Sequence, residues 1–125
     1  MDADFPEELC LFIQGTIHTI DAAELLVLLA SDPARHWKFE EIVHELRPTE
    51  IAESEIRRCL ALFLANGLVL ENQDARFQYR PATPALDGTV RALAKAFNQR
   101  PVTLIRVIYS RKIQSFADAF KIKKD

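Results

Sequence analysis

Apolar residues recur every three to four positions along most of this chain and switch to alternation over one short stretch near its middle. That switch predicts helices interrupted by a hairpin. In the opening "FPEELCLFIQ", Phe5, Leu9, Phe12 and Ile13 form one helical stripe. Pro6 suits a first turn, and Glu7 and Glu8 suit the positive end of the helix dipole. In "IDAAELLVLLASDP", Asp21 is the expected N-cap and Glu24, three residues on, completes a capping box. Ile20 and Leu25 stand where a hydrophobic staple forms. This helix is apolar on nearly every side, which predicts a central position, and "SDP" stops it.

The short aromatic "RHWKF" reads as an extended strand. "FEEIVHELR" follows as a helix with Ile42, Val43 and Leu46 inward, Glu41 and Glu45 outward, and Pro48 ending it. A further helix covers roughly 52–66. Steps of 100° send Ile56, Cys59, Leu60 and Phe63 to one side, with Leu64 at the border. Ser54, Arg58, Ala61 and Ala65 lie opposite, flanked by Glu55, Arg57 and Leu62. Gly67 is the expected stop. "LVLE" and "RFQYR" then alternate around "NQDA", as in a two-stranded hairpin. In the return strand Phe77 and Tyr79 share one face; Arg76, Gln78 and Arg80 share the other.

"PATPALD" reads as a linker, which divides the chain into a unit over 1–80 and a helical extension with a basic tail over 81–125. In the extension Leu86, Val90, Leu93, Ala94 and Phe97 have helical spacing. Pro101 opens another helix, with Val102, Ile105 and Ile108 or Tyr109 as its stripe. "SFADAF" pairs Phe116 with Phe120 four residues apart, and "KIKKD" ends the chain. The fold class is therefore mainly α with a small β element (α+β).

Charge is distributed far less evenly than the overall composition suggests. Hydrophobic residues make up 49% of the 125, ample for a core, and the net charge is only −2. Yet residues 1–75 carry 15 acidic and 5 basic side chains, whereas residues 76–125 carry 3 acidic and 11 basic ones. Such poles suit a charged partner or self-association, or else are solvated surface that nearly cancels in the fold.

No metal, cofactor or enzyme chemistry emerges. His18, His36 and His44 are scattered, Cys10 and Cys59 have no ligand or redox spacing, and there is no Gly-rich phosphate loop. The longest apolar runs, "LLVLLA" and "LALFLA", are too short for a bilayer, and "MDADFPEE" lacks the positive start of a targeting peptide. The expectation is a cytoplasmic protein with reduced, buried thiols and no membrane partner.

The order helix, strand, helix, turn, helix, hairpin over residues 20–80 resembles the winged helix-turn-helix family. "IRRCLALFLANGLV" resembles the end of that family's recognition helix leading into its wing, and "WKFEEIVHEL" is similar to its preceding helix. The overall pattern looks like that of small bacterial MarR-like regulators. The resemblance implies a winged helix-turn-helix with a two-stranded wing and extra terminal helices, acting as a DNA-binding transcriptional regulator. Ser54, Arg57 and Arg58 would then face the major groove of double-stranded DNA, with Arg76 and Arg80 on the wing against the backbone or minor groove. Against that, Ala52 stands at the cap position of the recognition helix. Glu50, Glu53 and Glu55 put negative charge at the end that approaches phosphates.

A second reading is a winged-helix module that binds protein and not DNA, through Ala61, Leu62 and Ala65 or through the charge poles. The terminal helices, with Phe116 and Phe120, either pad a monomeric core or build a homodimer that presents two wings to two half-sites.

Overall fold

The computed structural model describes residues 5–110. Six helices and three short strands follow in the order α1 (Glu7–Thr16), α2 (Ile20–Ala30), β1 (Trp37–Lys38), α3 (Phe39–Glu45), α4 (Glu53–Ala65), β2 (Val69–Glu71), β3 (Arg76–Tyr79), α5 (Pro84–Gln99) and α6 (Pro101–Ser110). The protein is thus mainly helical with one small antiparallel sheet. Phe116 and Phe120, and with them the expected pairing in the tail, lie outside the described residues.

Helix α2 is central, as its all-round apolar surface requires. Ala22, Ala23, Leu25, Leu26 and Leu29 are buried, and the helix packs against α5, α4 and β3. Its start differs from expectation. The N-cap is Thr19, whose Oγ1 accepts from the Ala22 N–H at 3.1 Å, and Asp21 falls inside the first turn. With the start moved back two residues, Glu24 falls two positions past the third helical residue, where it would have to stand to reach the cap backbone. The capping box does not form. A tertiary contact favours the earlier start: the Thr19 hydroxyl also donates to Glu55 Oε2 of α4 at 3.3 Å.

Helix α4 buries Ile56, Cys59, Leu60 and Phe63, the face its periodicity predicts. Removing side chains of this size from water contributes roughly 1.5–3 kcal/mol each for the larger ones. The helix ends in a left-handed Gly67 at φ 72°, with Gly67 N–H donating to Leu64 O and Leu68 N–H to Phe63 O at 3.0 Å. This is the paired C-terminal closure that favours glycine. A Cβ at Gly67 would also meet the Ala82 Cβ at 3.2 Å, so both conformation and space call for glycine here.

The hairpin lies where alternation put it, but it is not a lone two-stranded unit. Strand β1 joins it, giving the order β1–β3–β2, with Trp37 opposite Phe77 and Lys38 opposite Arg76. Trp37, Phe77 and Tyr79 are buried on one face. The tight loop rests on Asn72, whose Oδ1 accepts from the Asp74 and Arg76 N–H groups, and on Ala75 in a left-handed conformation at φ 58°.

Helix α5 begins at Pro84, capped by Thr83, inside the stretch expected to be linker. It packs against α1 and α2, and its Val90 and Leu93 join the same buried cluster as the residues of α1, α2 and α4. The expected stripe of α6 is shifted. Leu104 and Ile108 are buried, whereas Val102 and Ile105 are 70% and 42% exposed. Arg100 breaks the helix between α5 and α6. The resulting turn, and not local periodicity, decides which side of α6 meets the core. Tyr109 adds an anchor, its hydroxyl accepting from the Ile20 N–H at 3.2 Å. Among the described residues, no single helix is long and apolar enough to cross a membrane.

Candidate nucleic-acid interface

Two consecutive helices, α3 and α4, are joined by a 3₁₀ turn at Arg47–Thr49 and by Glu50, which takes a left-handed conformation at φ 57°. This turn sets the angle at which α4 leaves α3. The outer face of α4 carries exposed Glu53, Ser54, Arg57, Arg58, Ala61 and Ala65, with Leu62 half-buried. Its N-cap, Ala52, makes no side-chain hydrogen bond, so Glu53 and Glu55 offset the positive end of the helix dipole.

The two arginines of this face have different fates. Arg58 is held by its own helix. Its Nε and Nη2 donate to the two oxygens of Glu55 at 2.8 Å each, a bidentate ion pair. That hydrogen bond holds the Glu55 carboxyl below its usual range, with help from the Thr19 hydroxyl. The guanidinium expected to read bases therefore has an intramolecular partner already. Arg57 instead lies over the ring of Phe39 at the start of α3, 3.9 Å from its centroid, with its outer edge free for solvent.

On the sheet, Arg76 and Lys38 are direct cross-strand partners and share the outward face. Arg35 joins them from the preceding loop. It stacks on the Trp37 ring at 3.5 Å and reaches within 4.0 Å of Glu41 Oε2. Glu41 Oε1 in turn accepts from the Lys38 backbone N–H at 2.8 Å. Lys38 has no acceptor in its side chain, so this is half of a capping box. The Lys38 N–H bond, and then the charges of Arg35, Arg76 and Lys38, hold the Glu41 carboxyl below its usual range. Three cations, Arg35, Lys38 and Arg76, thus gather around Glu41, and Arg57 of α4 lies over Phe39, the residue that follows Lys38.

Of the residues predicted for DNA contact, Arg76 enters this patch, and Arg57 stands exposed on α4 over Phe39. Ser54 is exposed on α4, and Arg58 is committed to Glu55. Arg80 follows the strand, about 13 Å of extended chain beyond Arg76, beside an open cleft lined by Pro33, Tyr79, Asp87 and Arg91. Ala61 and Ala65 are open to solvent, as a protein-binding face requires. Arg35, Lys38 and Glu41 were not singled out by sequence, because only pairing of β1 with β3 brings "RHWK" against the hairpin. The outward position of Lys38 next to an inward Trp37 was the one local signal available. Among the described residues no group of three or more His, Cys, Asp or Glu side chains is placed to hold a metal ion.

No protein-family model matches the chain, and no curated protein or solved structure matches it either.

Proposed function

We propose that this protein is a winged helix-turn-helix of the type found in small bacterial transcriptional regulators, and that it binds double-stranded DNA. In this reading α3 and α4 are the helix-turn-helix, β2 and β3 are the wing, and α4 approaches the major groove. The observation that carries it is the cationic patch of Arg35, Lys38 and Arg76 around Glu41, together with the exposed Arg57 that α4 lays over Phe39 beside Lys38 in the chain. Neutralising phosphates releases counterions, and that term dominates the affinity of such proteins for DNA. Backbone contact by the patch would set the register, while Ser54 and Arg57 are the α4 residues free to reach base edges.

The test is fluorescence anisotropy of a labelled duplex titrated with the full chain over a salt series. Affinity should fall steeply as salt rises, and Lys38→Ala and Arg76→Ala should each reduce the slope by about 1. Absence of duplex binding at low salt, including to the region upstream of the protein's own gene, removes this reading.

A second reading is favoured by the Arg58–Glu55 pair, which neutralises the middle of the α4 face and leaves Ala61, Leu62 and Ala65 beside it. A winged-helix module that docks on another protein would use that small, partly apolar surface. Leu62→Glu would then abolish the complex, and a complex that survives it does not use this face.

A further inference from the structure

We infer that the carboxylate of Glu41 occupies the place of a phosphate in the patch formed by Arg35, Lys38 and Arg76, serving as an internal counter-ion that a phosphate of bound nucleic acid displaces. This inference rests on the DNA-binding reading, and it identifies what regulates the strength of that site.

The geometry supplies the argument. Lys38 and Arg76 are directly opposed on antiparallel strands, where like charges repel. Arg35 stacks on the ring of the buried Trp37 at 3.5 Å, which favours its place in the patch. Of the ion pairs among the described residues, that of Glu41 with Arg35 is the one that reaches this patch. Glu41 divides its oxygens as a phosphate would. Oε1 accepts from the Lys38 main-chain N–H at 2.8 Å and Oε2 faces Arg35 at 4.0 Å. The 4.0 Å separation is long for a charge-assisted hydrogen bond, so Arg35 retains donors for an incoming anion. Glu41 is also accessible, with 41% of its side chain exposed, so an anion can reach the cations around it.

Two consequences follow. In the free protein, Glu41 relieves repulsion among the three cations and keeps the patch assembled. In a complex, the same charge opposes phosphate, so it weakens binding to any sequence and tightens the demand on other contacts.

The experiment compares wild type with Glu41→Gln, which keeps an oxygen for the Lys38 N–H and loses only the charge. The first measurement is duplex binding across the salt series. Glu41→Gln should bind about threefold to tenfold more tightly at low salt, with a slope steeper by about 0.9. The gain should shrink in the Arg76→Gln background, where one of the three cations that hold the phosphate is gone. The second measurement needs no DNA: thermal unfolding in sodium sulfate against sodium chloride at equal ionic strength. Sulfate stabilises most proteins by exclusion, so the result read is the difference between variants. Glu41→Gln should gain more from sulfate than wild type does.

If wild type binds duplex, the first measurement decides, and equal or weaker binding by Glu41→Gln overturns the inference. If neither variant binds duplex, the DNA-binding reading is lost. The sulfate comparison then decides alone, and equal shifts in the two variants overturn the anion site.

Discussion

Arg58 grips Glu55 with two 2.8 Å hydrogen bonds one turn apart on α4, and Glu55 also takes a hydrogen bond from Thr19 at the start of α2. The pair closes the seam between two helices and removes a guanidinium from the outer face.

Replacing Arg58 by Ala should cost less than about 1 kcal/mol of stability, because the pair is partly exposed and screened. It should weaken duplex binding less than Arg76→Ala or Arg57→Ala does. Urea denaturation and anisotropy on the three variants check the order. A larger loss of binding with Arg58→Ala would mean that the arginine leaves Glu55 on contact with DNA.

Tyr79 carries a second link between elements. Its hydroxyl donates to Asp87 Oδ1 at 2.8 Å, and Arg91 Nε donates to Oδ2 at 2.9 Å, tying β3 to α5. The Tyr79 bond, and then Arg91, hold the Asp87 carboxyl below its usual value of 3.8. A lowered acid contributes stability that is fully present above its unfolded value and is lost as pH falls through the folded one. Stability should therefore decline as pH drops below about 3.8, and Tyr79→Phe should flatten that decline while costing about 1 kcal/mol at neutral pH. Chemical denaturation at a series of pH values reads both effects.

Ala75 sits at φ 58° in the hairpin loop, a conformation that costs an L-residue roughly 1–2 kcal/mol. Glycine relieves this but loses more chain entropy on folding, by about 0.5–1 kcal/mol. Ala75→Gly should raise stability by about 0.5 kcal/mol or slightly more. Loss of stability, measured by urea midpoint, would show that the methyl group packs against something that matters.

Cys59 is buried on α4, and burial, then the neighbouring Glu55, pushes its thiol up to about 12. The thiolate is the reactive form. At pH 8 the folded protein should therefore resist alkylation by iodoacetamide at Cys59, and react once urea unfolds it. Mass spectrometry of the labelled peptide reads the site. Cys10, also buried, should behave alike.

Much of this architecture is written locally. Ile56, Leu60 and Phe63 recur at a helical period, so their burial on α4 follows from spacing alone. Gly67 stops that helix because its backbone can turn left-handed. Phe77 and Tyr79 face inward because side chains alternate along a strand.

What local pattern does not contain is the choice among equivalent options. Thr19 and Asp21 are both competent caps, and a contact with Glu55, distant in sequence, selects Thr19. Either of two stripes on α6 is apolar, and the turn at Arg100 selects Leu104 and Ile108.

The candidate site divides the same way. The outward direction of Ser54, Arg57 and Arg58 on α4 follows from spacing, because a helix of period 3.6 with one apolar face has no other place for them. That Arg58 is spent on Glu55, and that Lys38 meets Arg76 beside Arg35 and Glu41, comes from the assembled fold. The reason is physical. Periodicity sets the direction of a side chain, whereas its charged neighbours depend on which strands and helices pair across the chain, and no local spacing encodes that pairing.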